Sequence, residues 1–375
     1  MVKEIDIAIV GGGLAGLTAA IHLAGTGLEV CVFEKENYPH HKVCGEYLSR
    51  EVIPYLESLE VNLYSYNPMN IGTLIYSNPS GKSIKTTLPQ GGIGISRFLL
   101  DDILYRKAIQ KGAQVITGTV NNIEFIDNKF QVSTPDGTKI SAKIVLGAYG
   151  KRSLIDKKLD RDFIDKKTSW LAVKGHYKME KYPENIVSLH NFNGGYCGLS
   201  KTETGVVNVC YLATYKSFKK HKDPKAYKSN VLSGNPHLNE FFKTATPLFE
   251  KDLSIAQISF EKKSRIQDHI IMLGDAAGLI HPLCGNGMAM AIHSAKLAAE
   301  SILKHFKPSN FNREAMEKEY INKWDDAFSG RLETGRLLQK VLMHSSLAEI
   351  SRHTLNIFPD LLPHIIKKTH GNPVL

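Results

Sequence analysis

Glycines 11, 13 and 16 stand in a Gly11-x-Gly13-x-x-Gly16 pattern between an apolar run, residues 5–10, and a small-residue stretch, residues 14–25. The setting gives the pattern its meaning, because a strand feeds a tight turn and a helix opens behind it. Gly11 permits the turn, Gly13 lets the backbone approach a pyrophosphate, and Gly16 lets helix and strand pack closely. Unpaired N–H groups at the helix start, where Leu14 and Ala15 form the first turn, favour phosphate charge. A second apolar run, residues 28–33, ends at Glu34 and Lys35. A carboxylate about twenty residues beyond the glycines accepts hydrogen bonds from a ribose diol and disfavours a 2′-phosphate. The expected chemistry is the binding of a dinucleotide.

A second motif selects which dinucleotide. Gly274-Asp275-Ala276-Ala277-Gly278 follows the apolar run 270–273 and continues as His281-Pro282-Leu283-Cys284-Gly285-Asn286-Gly287-Met288. Asp275 suits a ribityl hydroxyl, and the glycine-rich loop lets the chain pass close to a flat ring. The helix expected from about Gly287 turns its N-terminus toward that ring, and a helix N-terminus stabilises the negative charge of a reduced flavin. The two motifs together specify FAD. Gly91-Gly92-x-Gly94 lacks a strand–helix setting, so one fingerprint is present and the electron donor, NAD(P)H or a redox partner, is expected to bind transiently.

Over roughly residues 1–305 the chain resembles the group-two FAD flavoproteins that share the para-hydroxybenzoate hydroxylase fold, and within them the geranylgeranyl reductase-like branch. Lys42-Val43-Cys44-Gly45-Glu46 is the most branch-specific stretch. The resemblance implies that Cys44 and Gly45 lie beside the flavin and that Arg97, opening Arg97-Phe98-Leu99-Leu100-Asp101, contacts the cofactor. It also brings Gly147 and Gly150 to the site, although Gly147-Ala148-Tyr149-Gly150 stands where many hydroxylases of this fold carry Gly-Ala-Asp-Gly. Tyr196-Cys197-Gly198-Leu199-Ser200-Lys201 stands where archaeal reductases carry Tyr-x-Trp-x-Phe-Pro and halogenases Trp-x-Trp-x-Ile-Pro. Tyr196 matches, but the second aromatic and the proline are absent, which argues against a halogenase.

Pro282, Gly285, Asn286, Gly287 and Met288 complete the cofactor set, and Cys44 and Tyr196 are the catalytic candidates. The implied activity is FAD-dependent reduction of carbon–carbon double bonds in a lipid-like or polyketide/isoprenoid-type substrate. Two alternatives stand beside it. One is an FAD-dependent monooxygenase that hydroxylates or epoxidises through a flavin hydroperoxide. The other, of a different class, is a non-catalytic flavin-binding protein. Function is read from the site, not the fold.

The elements that must position these residues follow from periodicity. Residues 5–10, 28–33 and 270–273 read as buried strands, 14–25 as a helix, and 97–111 as an amphipathic helix. Short strands are expected over 114–147, with a Pro135-Asp136-Gly137 turn, and over 170–215. The fold class is α/β: a Rossmann-like FAD-binding domain assembled from separated segments (1–65, 96–165 and 262–305), an inserted, mainly antiparallel sheet substrate domain (66–95 and 166–261), and a helical C-terminal region (306–375).

The chain has 375 residues, 42% hydrophobic, with a net charge of +10. Nothing in it matches a nucleic-acid-binding motif, so the basic surface points to no nucleic-acid partner. The five cysteines, Cys31, Cys44, Cys197, Cys210 and Cys284, show no metal-ligand spacing, so no metal is expected, and their scatter fits a reducing cytoplasm. Cys44 and Cys284 both fall in loops expected near the flavin, with packing the favoured role over a redox pair. The basic residues 216–222 read as a solvated face. Leu355, Ile357, Phe358, Leu361, Leu362, Ile365 and Ile366, followed by Lys367 and Lys368, are expected to pack on the catalytic region, with peripheral membrane contact as the other reading. The sequence leaves the oligomeric state open.

Overall fold

The computed structural model describes residues 3–166, 168–221, 223–307, 310–343 and 361–375. Along the chain, β1 (Lys3–Val10), α1 (Leu14–Ala24) and β2 (Val30–Glu34) form the first βαβ unit. A short strand, β3 (Tyr47–Ser49), and α2 (Ile53–Ser58) precede the hairpin of β4 (Met69–Ser77) and β5 (Ser83–Gly94). α3 (Arg97–Gln110) leads into β6 (Gln114–Thr117), β7 (Asn122–Ile126), β8 (Lys129–Ser133) and β9 (Lys139–Gly147). After these come β10 (Trp170–Lys178), β11 (Ile186–Phe192), β12 (Gly195–Lys201) and β13 (Val207–Thr214). Small helices intervene before β14 (Thr246–Pro247), β15 (Leu253–Ile258), β16 (Ile266–Gln267) and β17 (Ile270–Met272). The described chain closes with α4 (Gly287–His305), α5 (Arg313–Met343) and α6 (Leu361–Thr369).

The strands sort into two sheets. The first has the order β16-β17-β9-β1-β2-β6, with β7 and β8 joined at β9. β1 lies parallel to both β2 and β9. Because it is covered on both faces, its residues Ile7, Ala8 and Ile9 are fully buried and it reads as an unbroken apolar run. α1, α3 and α4 pack around this sheet. The second sheet runs β14-β10-β13-β12-β11-β4-β5-β3, with β15 also on β10. Its pairs are antiparallel except β11 with β4.

β3 lies within the segment 1–65, yet it hydrogen-bonds to β5 of the second sheet, with Tyr47 opposite Gly94. The chain therefore crosses between sheets immediately after residues 42–46, which places that stretch at the seam. α1 begins directly after Gly13, whose extended backbone caps it without a side chain. Gly11 takes φ +109, and a Cβ there would strike the Ala148 carbonyl. A Cβ on Gly16 would fall on the Gly11 carbonyl. Both positions therefore require glycine for the close approach of β1, α1 and β9.

Candidate active site

A cavity of about 1510 Å³ runs along the seam between the two sheets. One end is walled by Gly11, Gly13, Leu14, Ala15, Glu34, Lys35 and Arg97. Gly12 N–H donates to Glu34 Oε2 at 3.0 Å, which fixes the carboxylate at the tip of β2. A Cβ on Gly13 would lie 3.7 Å from Arg97 Nη2 and 3.9 Å from Lys42 Nζ. Two cations and a helix N-terminus thus converge on a bare backbone, which is the donor set an FAD diphosphate needs. Arg97 is itself held by a two-pronged pair to buried Asp101, at 2.6 and 2.7 Å. Burial works against the Arg97 charge, but Asp101 outweighs it, so the guanidinium stays charged and the Asp101 carboxyl titrates below its ordinary range. Lys42 bridges Glu34 at 3.4 Å and Asp101 at 3.3 Å.

The loop of residues 42–46 enters between this end and the second sheet. Cys44 and Gly45 line the cavity. Second-sheet side chains pin the loop's carbonyls: Lys174 donates to Lys42 O at 3.1 Å, Asn208 to Cys44 O at 3.2 Å and Ser200 to Gly45 O at 3.5 Å. Behind the loop Glu46 is fully buried and adopts φ 54. Its carboxylate accepts from Lys174 Nζ, from Arg97 N–H at 2.8 Å and pairs with His176 Nε2 at 2.7 Å. Burial alone would raise its pKa, but the His176 hydrogen bond and the Lys174 charge carry it below 4.5. His41 completes the cluster, and burial, reinforced by the Lys174 and His176 charges, lowers it to about 4.

The ligand atoms of His41, Glu46 and His176 lie within 4.8 Å of one another. Two imidazoles and a carboxylate are a cation-binding composition, but Lys174 already occupies Glu46 and places a like charge beside any metal. The cluster therefore works as a charge network that holds the loop. Glu46 stood within the stretch singled out in the sequence, but Lys174 and His176 did not. Their signal was available: Lys174 and His176 stand at alternate positions on one face of β10, within a stretch that is otherwise mostly apolar.

On the opposite wall lie Gly150, Gly274, Asp275, Pro282, Gly285, Gly287 and Met288. Asp275 pairs with Lys151 at 3.4 Å and keeps part of its surface open. Tyr149 lines the cavity and donates to Met272 Sδ at 3.3 Å.

Three expected cofactor residues do not reach the cavity wall. Gly16 is spent on helix–strand packing against Gly11. Gly147 ends β9 beside β17, where a Cβ would meet Met272 Sδ at 2.7 Å. Asn286 is fully buried, and its Nδ2 donates to Thr369 O at 2.8 Å and to Glu51 Oε2 at 3.4 Å. It anchors the C-terminal tail, a long-range contact that no local pattern announces.

The far end of the cavity is apolar. Leu74, Leu88, Val187, Leu189, Leu212 and Ile255 of the second sheet line it, together with Leu279 and Leu283. Tyr196 faces it from β12, packed with Ala172, Leu212, Ile258 and Leu279. Burial raises the Tyr196 phenol well above its ordinary value, so it stays a neutral donor. Cys284 lines the same end and its thiol is pushed up to about 12 by burial, which fits packing. His281 and His293 are lowered by burial to about 3 and about 4, so both are neutral, and His293 packs on Phe328.

The C-terminal tail closes this end. Ile365, Ile366 and Lys368 line the cavity, and Lys367 and Lys368 are exposed to solvent. Glu51 holds the tail through Gly371 N–H at 2.6 Å and is itself paired with Arg331 at 2.8 Å. Leu355, Ile357 and Phe358, and the side chains of Leu361 and Leu362, lie outside the described residues. Residues 215–218 form a short helix with no buried residue, and Lys222 lies outside the described residues. Among the described residues no helix is long and apolar enough to cross a membrane.

Comparison with known proteins places the chain among relatives. An FAD binding domain family model matches residues 4–309. Among relatives, a digeranylgeranylglycerophospholipid reductase of Methanocaldococcus jannaschii is 26% identical, covering 92% of this chain and 88% of its own. A menaquinone reductase of Mycobacterium tuberculosis is 24% identical, covering 79% and 76%. The 1H-pyrrole-2-carbonyl-(peptidyl-carrier protein) chlorinase of Pseudomonas fluorescens is also 24% identical, covering 86% and 82%. A solved flavin-dependent brominase superposes with TM-score 0.79 at 17% identity, covering 97% of this chain and 93% of its own, which shows a shared fold. Reductases and a halogenating enzyme thus stand at the same distance, and overall identity does not separate their reactions. The glycine turn, the Glu34 carboxylate and the family match together make this chain a member of the FAD-binding-domain family of flavoproteins and an FAD-dependent oxidoreductase.

Proposed function

We propose that this enzyme reduces a carbon–carbon double bond in a hydrophobic, lipid-like or isoprenoid-type molecule. The observation that carries the reading is the continuity of the cavity. Its cofactor end opens, past Cys44 and Gly45, into an apolar chamber lined by leucine and isoleucine and closed by the tail. At about 1510 Å³ the space exceeds the roughly 300–1,000 Å³ of a single small-ligand pocket and suits a cofactor with a second, apolar ligand. Bound FAD supplies the hydride chemistry, and the chain positions it, excludes water and orients the substrate. The residues proposed to hold FAD are glycines 11 and 13, Leu14, Ala15, Glu34, Lys35 and Arg97 on one side and Gly150 and Asp275 with its loop on the other. NAD(P)H or a redox partner re-reduces the flavin by transient contact. The cytoplasm is the proposed compartment.

The reaction type is tested without oxygen. Reduced protein is mixed anaerobically with isoprenoid lipids of graded length while flavin absorbance is followed. Reoxidation with formation of the saturated product is expected. A flavin that turns over substrate only when oxygen is admitted would make the enzyme a monooxygenase instead.

Cys44 gives a second test. Cys44→Ser is expected to keep FAD binding and flavin reduction while slowing reoxidation by substrate about tenfold, because the residue lines the passage between the two ends of the cavity. Unchanged rates in both half-reactions would reduce Cys44 to a packing residue.

A further inference from the structure

Three consecutive backbone carbonyls behind the Asp275 turn each accept a hydrogen bond from a cationic side chain. Lys263 Nζ donates to Asp275 O at 2.8 Å, Arg161 Nη2 to Ala276 O at 2.9 Å, and Arg265 Nη1 to Ala277 O at 3.4 Å. The two arginines have carboxylate partners: Arg161 pairs with Asp156 at 2.8 Å and Arg265 with Asp325 at 2.9 Å. Lys263 has no carboxylate within ion-pair distance among the described residues, yet it is only 5% exposed. Burying an ammonium without a counter-charge is costly, so its remaining contacts must repay the loss.

Those contacts point one way. Besides Asp275 O, Lys263 Nζ donates to Lys151 O at 2.9 Å and sits 4.3 Å from the centre of the Phe163 ring. Lys151 and Asp275 both line the cavity, on separate loops, and their side chains pair across the front. Among the described residues, Lys263 is thus the one side chain that bonds to the backbones of both loops from behind. Burial pushes it down to about 8, with Asp156 and Asp275 opposing the shift and Arg161 and Lys151 reinforcing it. The network tolerates the charge only because carbonyls and an aromatic face surround it.

We infer that Lys263 is a positioning residue for the flavin end of the FAD site, stapling the loop of residues 150–153 to the turn Gly274–Ala276 so that the Asp275 carboxylate is held toward the cofactor. The inference rests on the proposed contact between Asp275 and FAD.

The test titrates apoprotein with FAD and, separately, with ADP, which needs only the glycine turn and Glu34. In Lys263→Met the FAD dissociation constant is expected to rise about tenfold. The ADP constant should stay within about twofold of wild type, a pattern that general loss of packing would not produce. Lys263→Arg, whose guanidinium can still donate to both carbonyls, should restore most FAD affinity. Should Met at position 263 prevent folding, Lys263→Gln, which retains one donor group, carries the same expectation. Equal losses for FAD and ADP would overturn the staple, and so would an unchanged FAD constant in a variant series where Asp275→Ala has lost affinity. If Asp275→Ala itself binds FAD normally, the Asp275 reading fails first and is recognised as the cause.

Discussion

Lys174→Met is expected to destabilise the apoprotein by about 3–5 kcal/mol, the usual cost of removing one partner from a buried ion pair. Lys174 and Glu46 are both fully buried. Removing the ammonium leaves Glu46 with only the Arg97 N–H and His176, and removes the donor that pins the Lys42 carbonyl. The carboxylate keeps those two hydrogen bonds but loses the lysine charge beside it, so the variant must either bury an undercompensated charge or protonate. Glu46→Gln combined with Lys174→Met should recover a substantial share of the loss, because the neutral amide can accept the Arg97 N–H through its oxygen and donate from its NH2 to the His176 ring nitrogen, with no charge left unpaired.

The pair also makes a pH prediction. Glu46 titrates lower in the fold than its ordinary 4.5, so its contribution is fully present above that value and is lost as pH falls through the lower native one. The wild-type thermal midpoint should therefore fall more steeply below about pH 4.5 than that of Glu46→Gln. Urea titrations that place Lys174→Met within about 1 kcal/mol of wild type would show that the cluster contributes little to stability.

Asp275→Ala is expected to weaken FAD binding roughly tenfold to hundredfold. A hydrogen bond to a charged group contributes about 1.5–3 kcal/mol, and each 1.4 kcal/mol is a factor of ten. The structure adds a reason for the upper part of the range. Asp275 is pre-oriented by its carbonyl bond to Lys263 and by its ion pair with Lys151, so little ordering is required when the cofactor arrives. Removing the carboxylate also leaves Lys151 unpaired at the cavity wall. Equilibrium titration of apoprotein with FAD decides the matter, and an unchanged dissociation constant would remove Asp275 from the cofactor site.

Local pattern was enough to determine the glycine turn and the acid at the end of the second strand. The glycine spacing, the buried run of β1 and the acid at the tip of β2 are dictated by backbone sterics and by the placement of a helix N-terminus, and each acts over a few residues. Glycines 11 and 13 and Glu34 accordingly sit where the sequence puts them. The two sheets likewise draw their strands from the segments marked by the change from buried runs to alternation, apart from β3, whose three residues carry too little pattern to show which sheet they join.

What tertiary structure alone decided is which distant side chains stand behind each loop. Glu46 meets Lys174 and His176 about 130 residues away, as sequence separations of 128 and 130 show. Asn286 holds the tail through Thr369, and Ile366 of that tail packs against Tyr47, Ile71, Leu74 and Leu88. Such partners are fixed by how sheets and helices pack, which no window of sequence encodes. A buried charge declares itself in sequence only as a polar residue on an apolar face, and its partner is named only when the chain has folded.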